Sequence, residues 1–217
     1  MGGLMQTLED VLGSRVNIAV LRYLTAVSGS LSGNEIAKRL GLQQSSARLA
    51  LERLVEAGVI TRTEVGRSAG YELDSGLAFV RALLVPLFRE ETRLRDKLMS
   101  ALARGSGRLQ PKPTAVVLFG SVARGMRDFR DIDLLCIVAK QRDKSALHDS
   151  VGDAFSQIQR EFKVPVSAVV ATDVELSSPK LESVVGETKR DGLLLFGTAP
   201  HQLRGIRILE TGARRAK

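Results

Sequence analysis

The sequence has almost none of the residues that cross-link a chain or bind transition metals. Its one cysteine, Cys136, excludes an intrachain disulfide, and its place inside the apolar run LLCIV predicts a small core residue and not a nucleophile. Its two histidines, His148 and His201, have no partners at metal-ligand spacing, which argues against a zinc site. These absences exclude a disulfide scaffold, and we expect an intracellular, cytoplasmic protein.

Long apolar runs are also missing. No run approaches the roughly 20 residues that a membrane-spanning helix needs, so we expect no membrane partner. The first 14 residues lack a basic segment followed by an apolar block, and no export signal is expected. The 217 residues are 44% apolar and 26% charged, which is typical of folded globular proteins with one large or two small domains.

The net charge of +8 is unevenly distributed. The basic excess lies in residues 76–112 and 201–217, whereas residues 1–75 and 113–200 are close to neutral. Basic patches attract phosphate backbones. Charge alone leaves nucleic acid, nucleotide and acidic protein open as partners.

The first 75 residues are predicted to form short helices followed by a hairpin. Helical spacing of apolar residues, with Ser14 as a cap and Gly41 as a stop, marks the helices. A β-branched run, a glycine-rich turn at Gly66–Gly70 and a second short run mark the hairpin. The predicted elements cover residues 14–27, 32–41, 43–58 and 59–73.

The stretch SGNEIAKRLGLQQSSARLALERLVEAGVITRTEVGRSAGYEL resembles the winged helix-turn-helix domains of bacterial and archaeal regulators. The resemblance implies that the third helix enters the major groove of double-stranded DNA. It assigns DNA contacts to Gln44, Ser45, Ser46 and Arg48, and to Arg67 at the tip of the wing. A helical module for dimerisation or protein contact is the alternative, which the neutral charge favours. Because regulators of this kind are commonly two-fold symmetric, we expect a homodimer.

The middle of the chain is predicted to be a helical connector over residues 76–103, which Pro86 kinks or interrupts. The segment RGSGRLQPKP, residues 104–113, is rich in glycine, proline and basic residues and is the predicted domain boundary. Strands and helices then alternate, which predicts an α/β domain of about 90 residues. We expect residues 201–217 to be a solvated basic tail.

The stretch VVLFGSVARGMRDFRDIDLLCIV carries the chemistry of this second half. Gly120 lets backbone approach a ligand, and Ser121 begins a segment whose free N–H groups favour anions. The guanidinium group of Arg124 is suited to donate paired hydrogen bonds to a phosphate. Asp131 and Asp133 share one face of the next strand, where a cation such as Mg²⁺ would relieve their repulsion. Together these residues outline a site for a nucleoside triphosphate.

This stretch, with the later ETKRDGLLLFG, resembles the minimal nucleotidyltransferases of the DNA polymerase β superfamily over residues 113–198. The resemblance implies that Gly120 and Ser121 hold the triphosphate, that Asp131 and Asp133 bind Mg²⁺, and that Arg124 is the basic residue within the motif. The implied reaction moves a nucleoside monophosphate from an NTP to a hydroxyl and releases pyrophosphate.

The sequence departs from this family at the third carboxylate that its active members use. Ser167 aligns with that position, and Asp173 or Glu175 would replace it only if the strand ended early. Three interpretations stay open. The chain is a DNA-binding nucleotidyltransferase, a regulator whose degenerate domain senses nucleotide or dimerises, or an antitoxin-like protein with a toxin as partner.

The expected fold class is α+β with two domains, the second built on a mixed sheet. The expected boundaries are a winged helix-turn-helix at 1–75, a connector and linker at 76–112, a nucleotidyltransferase-like domain at 113–200 and a basic tail at 201–217.

Overall fold

A computed structural model describes residues 8–65, 68–126 and 129–209 of the protein. It contains two compact units, Met1–Leu94 and Arg95–Lys217, which we call the first unit and the second unit. The fold is mixed α and β, and the sheet of the second unit is mixed, as predicted. Within the described residues no helix combines the length and the apolar character needed to cross a membrane.

The first unit begins with short helices whose ends are set by local hydrogen bonds. Ser14 Oγ accepts a hydrogen bond from Asn17 N at 3.0 Å, and Gly41 ends a helix in the left-handed conformation with φ 63°. The helices and the hairpin predicted from the sequence are both present. The elements are α1 Leu8–Leu12, α2 Arg15–Ala26, β1 Leu31–Ser32, α3 Gly33–Leu40, α4 Gln44–Glu56, β2 Ile60–Val65 and β3 Ser68–Leu73.

The sheet of the first unit has one strand more than the sequence predicts. The short β1 pairs antiparallel with β3, so the strand order is β1-β3-β2. The predicted glycine-rich turn is also shorter, because β3 already begins at Ser68 and includes Gly70. A Cβ on Gly70 would overlap the Ser30 hydroxyl, so the glycine serves close packing within the strand.

One continuous helical segment follows the hairpin. A π-helical turn, Val80–Leu84, leads directly into α5, Val85–Ser106. Pro86 was expected to kink or interrupt this helix. Instead the π-helical turn, in which Val85 N donates to Val80 O, provides an irregular turn just before the residue that lacks an N–H group.

The two units divide within α5, after Leu94, and not in the predicted boundary segment 104–113. Leu98 and Leu102 of α5 already belong to the core of the second unit, and Leu109 within the predicted linker is fully buried. The glycine and proline content of 104–113 indicated a linker, but burial of its one leucine fixes the segment to the second unit.

The second unit is a five-stranded sheet with helices on both faces. The alternation of strands and helices predicts one helix between the second and third strands of this unit, but two are present. Phe155 leaves helical geometry between them and buries its ring against Gly105. The elements are β4 Ala115–Phe119, α6 Gly120–Ala123, β5 Ile132–Val138, α7 Asp143–Ala154, α8 Ser156–Phe162, β6 Val166–Thr172, α9 Glu182–Asp191, β7 Leu193–Gly197 and β8 Arg207–Ile208.

The strand order of this sheet is β6-β5-β4-β7-β8. The pairs β5–β6 and β7–β8 are parallel and the other two pairs are antiparallel. Alternate residues of the central strands face opposite layers: Leu134 and Cys136 pack with α5, α7 and α8, whereas Leu135 and Ile137 pack with α9. Burial raises the pKa of Cys136 to about 12, which confirms it as a core residue.

The first nine residues of the predicted tail are mostly exposed, as expected, but they form regular structure. A 3-10 turn at His201–Leu203 buries Leu203 completely, and β8 then pairs with β7. Leu203 anchors the segment because it completes the α9 face of the core. Residues 210–217 of the predicted tail lie outside the described residues.

Candidate functional site

The Gly-Ser turn sits where β4 meets α6, directly beside β5. Phe119 and Asp133 are paired across the antiparallel strands, which brings the carboxylate of Asp133 against the next residue, Gly120. Gly120 has φ +73°, and a Cβ there would overlap Asp133 Oδ2. Only glycine combines this conformation with this approach. The predicted glycine and one predicted acid are therefore in contact.

The segment that begins with Ser121 is a helix of a single turn. Because α6 has only four residues, its dipole is much weaker than the helix start assumed from the sequence. Ser121 is partly buried at the second position of this turn. Any attraction for an anion here must come from individual N–H groups and from neighbouring arginines.

Asp131 and Asp133 form a pair of carboxylates with little compensation. Asp131 immediately precedes β5 and Asp133 is the second residue of the strand, so only Asp133 of the predicted pair lies within it. Burial raises the pKa of Asp133, and the negative charges of Asp131 and Glu187 raise it further, while Arg124 opposes them. The net direction is upward, first because burial disfavours the charged carboxylate and then because two other carboxylates lie nearby.

Arg124 lies among carboxylates of α9 and does not stand free. Its Nη1 atom is 3.8 Å from Glu187 Oε2 and 3.7 Å from Asp191 Oδ2. Sequence reasoning did not single out these two acids. The available signal was their i, i+4 spacing in ETKRD, which places both carboxylates on one face of a helix.

The third carboxylate that the sequence resemblance implies is not found on β6, the strand beside Asp133. In the parallel pair β5–β6, Asp133 lies opposite Ser167, which is exposed, so the predicted alignment of Ser167 agrees with the register. Strand β6 continues to Thr172, five residues or about 17 Å further. Asp173 and Glu175 therefore lie at the far end of the strand and cannot replace the missing acid.

The donor set fits one kind of cation. No group of three or more His, Cys, Asp and Glu side chains within the described ranges is arranged to hold a metal ion. Asp131 and Asp133 offer hard oxygen ligands, and the charge of Asp131 acts on Asp133. Mg²⁺ is typically held by one or two carboxylates together with substrate phosphates, so the pair fits Mg²⁺ delivered with a nucleotide and not a permanent protein cage.

The predicted DNA-contacting residues occupy the first turns of α4. Gln44, Ser45 and Arg48 are exposed and Ser46 is partly buried. Arg48 Nη1 donates to Glu52 Oε1 at 3.2 Å, an exposed pair that is weak enough to exchange. Arg67, the predicted wing-tip residue, lies outside the described residues.

A cavity of about 500 Å³ opens beside this face of α4. Gln44, Ser45 and Arg48 line it from α4, and Ala69 and Tyr71 line it from β3. Three of the four α4 residues that the sequence selected thus border one concave surface within the first unit, together with residues of β3 that it did not select. Serine, glutamine and arginine side chains are the donors and acceptors that read bases and phosphates.

Known proteins resemble parts of this chain. The profile of the PaaX-like protein family matches residues 25–76. A toxin-antitoxin crystal structure with AMP-PNP is 19% identical with a TM-score of 0.31, covering 46% of this chain and 73% of that one. A mutant of the toxin-antitoxin MntA-HpeT is 18% identical with a TM-score of 0.33 and the same coverage. No curated protein matches the chain.

Proposed function

We propose that this chain is a DNA-binding protein whose second unit binds a magnesium nucleoside triphosphate and transfers its nucleoside monophosphate to a hydroxyl. The observation that carries the proposal is the contact between Gly120 and the Asp133 carboxylate, with Asp131 beside it. A turn without a side chain at Gly120 is adjacent there to two carboxylates, one of them partly buried. This is the arrangement that a metal-bound triphosphate requires.

Each residue has a distinct task in this proposal. The backbone of Gly120 and Ser121 faces the phosphates, and Asp131 and Asp133 hold Mg²⁺. The ion, when bound, neutralises phosphate charge and stabilises the departing pyrophosphate. Arg124 exchanges its α9 carboxylates for a phosphate oxygen, since its contacts with Glu187 and Asp191 are long. The acceptor hydroxyl oxygen forms a bond to the α-phosphorus, the bond from that phosphorus to the pyrophosphate oxygen breaks, and the hydroxyl proton passes to water.

Binding without transfer is the second candidate function. Ser167 favours it, because the position opposite Asp133 carries a hydroxyl where active relatives carry a carboxylate. Without that carboxylate the proton of the acceptor hydroxyl has a poorer base, which lowers the rate of transfer. The second unit would then report nucleotide occupancy to a regulator.

The DNA-binding part of the proposal rests on the exposed first turns of α4. Gln44, Ser45 and Arg48 project beside the hairpin. The match over residues 25–76 to the PaaX-like family, which comprises DNA-binding regulators, supports the same role. We propose a duplex as the partner of this face, with phosphate contacts supplying most of the affinity.

Titration with Mg²⁺ and each NTP, followed by incubation with α-labelled NTP, tests the nucleotide part. We expect saturable, Mg²⁺-dependent binding that Asp131→Ala abolishes, and transfer of label to an acceptor. Ser167→Asp separates the two candidates, because a carboxylate placed opposite Asp133 should raise transfer without improving binding. Absence of binding for every NTP would contradict both candidates, and binding without label transfer in wild type would select the second.

Duplex binding at low salt tests the DNA part. We expect Arg48→Ala to weaken binding by about tenfold and to reduce its salt dependence. Arg53→Ala, an exposed arginine nearer the other end of α4, is the matched control and should change little. Equal losses in both variants would show that α4 contributes only general charge.

A further inference from the structure

The turn that carries Gly120 and Ser121 has little internal support. Helix α6 has four residues, and three backbone bonds close it: Arg124 N donates to Gly120 O at 3.2 Å, Gly125 N to Val122 O at 3.0 Å and Met126 N to Ser121 O at 3.0 Å. A single helical turn is marginal in isolation. The carbonyl groups at its C-terminal end also need partners from outside the turn.

Arg207 of β8 supplies one of these partners. Its Nη2 atom donates to Ala123 O at 2.8 Å and to Asp191 O at 2.6 Å. Ala123 is the last residue of α6 and Asp191 is the last residue of α9. One guanidinium group therefore joins the carbonyl ends of two helices, where a positive charge is favourable.

Arg95 of α5 supplies another. Its Nη1 atom donates to Gly125 O at 3.2 Å. Gly125 has φ +80°, and a Cβ there would lie 3.2 Å from Arg95 Nη2. The glycine lets both the backbone conformation and the close approach of the guanidinium group occur. Two arginines 112 positions apart thus hold adjacent parts of one short turn.

We propose that Arg95 and Arg207 are positioning residues of the nucleotide site, and that β8 belongs to that site. By holding the carbonyls of Ala123 and Gly125, they keep the N–H groups at Gly120 and Ser121 in place beside Asp133. Their charges also raise the potential around the turn for an incoming triphosphate. This inference rests on the proposed function and deepens it by adding residues that sequence motifs do not mark.

The strand that carries Arg207 is itself anchored. Arg207 pairs with Leu193 of β7, and Leu209 N donates to Leu194 O at 3.0 Å. Leu209 also packs against the core. The guanidinium group therefore extends from a fixed backbone, which is what a positioning residue requires.

Hydrogen exchange of the full-length protein without nucleotide is the first test. We expect Arg207→Ala and Arg95→Ala to speed exchange of amides in residues 121–126 by about tenfold, as for loss of one hydrogen bond. Arg204→Ala and Arg108→Ala are exposed arginine controls and should leave these amides unchanged. Unchanged exchange in the Arg207 and Arg95 variants, or an increase spread equally over β4 and β5, would overturn the proposal.

The second test measures the affinity of the protein for ATP and for GTP in the presence of Mg²⁺. We expect Arg207→Ala to weaken binding by about fivefold to tenfold, and Arg207→Lys to recover part of the loss because an ammonium keeps the charge without the fork. Equal affinity of wild type and Arg207→Ala would overturn the positioning role. If wild type binds neither nucleotide, the proposed function fails, while the exchange experiment still decides whether the two arginines hold the turn.

Discussion

The carboxylates at the two ends of the parallel pair β5–β6 have pKa values shifted in opposite directions. At one end, Asp133 lies opposite Ser167, and burial with the charge of Asp131 raises its pKa. At the other end, Glu175 accepts hydrogen bonds from Lys144 Nζ at 2.8 and 2.9 Å and from Thr172 N at 2.8 Å. The bond from Lys144, followed by that from Thr172, lowers the pKa of Glu175 to about 2.

The difference separates an acid whose charged form the fold stabilises from an acid whose charged form the fold disfavours. Glu175 has its charge satisfied by the chain itself, and it closes the turn after β6. Burial and two neighbouring carboxylates disfavour the charge of Asp133 more than Arg124 favours it, and under the proposed function a bound cation offsets this cost. Equal side-chain chemistry at the two ends of one strand pair thus leads to different roles.

The largest effect is expected from neutralising Asp133. Asp133→Asn should abolish Mg²⁺-dependent nucleotide binding, a loss of at least about a hundredfold, because one of two metal ligands disappears. The same change should leave the free protein equally stable or more stable, since repulsion from Asp131 is relieved. Calorimetric titration and thermal unfolding measure the two quantities. Retained binding would contradict the assignment, and Glu175→Gln should bind as wild type does.

The next effect concerns the glycine against which Asp133 packs. Gly120→Ala should destabilise the second unit by about 2 kcal/mol, because φ +73° is unfavourable for alanine and the new Cβ meets the carboxylate. Gly152→Ala is the control, with open space around its Cβ position on α7, and should stabilise by up to about 1 kcal/mol. Urea unfolding compares them. Similar changes in both variants would mean that the contact at Asp133 is unimportant.

A smaller effect is expected at the compensated end. Glu175→Gln should destabilise by about 1 kcal/mol through loss of its charge-assisted bond from Lys144. A double-mutant cycle with Lys144→Met measures the coupling of the pair. The exposed Glu182→Gln should have no comparable effect. Additive losses in the cycle would show that the pair contributes nothing as a pair.

The smallest effect is a dependence on pH. The pKa of Glu175 is about 2 in the folded chain and near 4.5 when unperturbed, so its contribution is complete above pH 4.5 and disappears as pH falls toward 2. The stability difference between wild type and Glu175→Gln should therefore shrink over that range. Unfolding at several pH values measures it, and a constant difference would contradict the assignment.

Local signals were sufficient for much of the fold. Ser14 and Gly41 marked helix ends, and the order of strands around the Gly-Ser turn was correct, because caps and buried strands depend on nearby residues. The boundary between units was misplaced since the burial of Leu109 is a tertiary property. The ordered segment at Leu203 was missed for the same reason.

The residues of the candidate site also differ in whether the local sequence identifies them. Gly120, Asp131 and Asp133 were predictable because they are close in sequence and their spacing carries chemical meaning. Arg95 and Arg207 were not, since only the folded chain brings them to α6, and their partners are backbone carbonyls that leave no motif. The pairing of Arg124 with Glu187 also depends on the packing of α9.

The burial of Cys136 in the middle of β5 has a practical consequence. The first unit contains no cysteine, and this thiol is inaccessible and protonated in the folded state. A thiol-reactive reagent added to the unaltered chain will therefore report only the opening of the second unit. The labelling rate with and without Mg²⁺ and an NTP therefore measures how much ligands slow that opening.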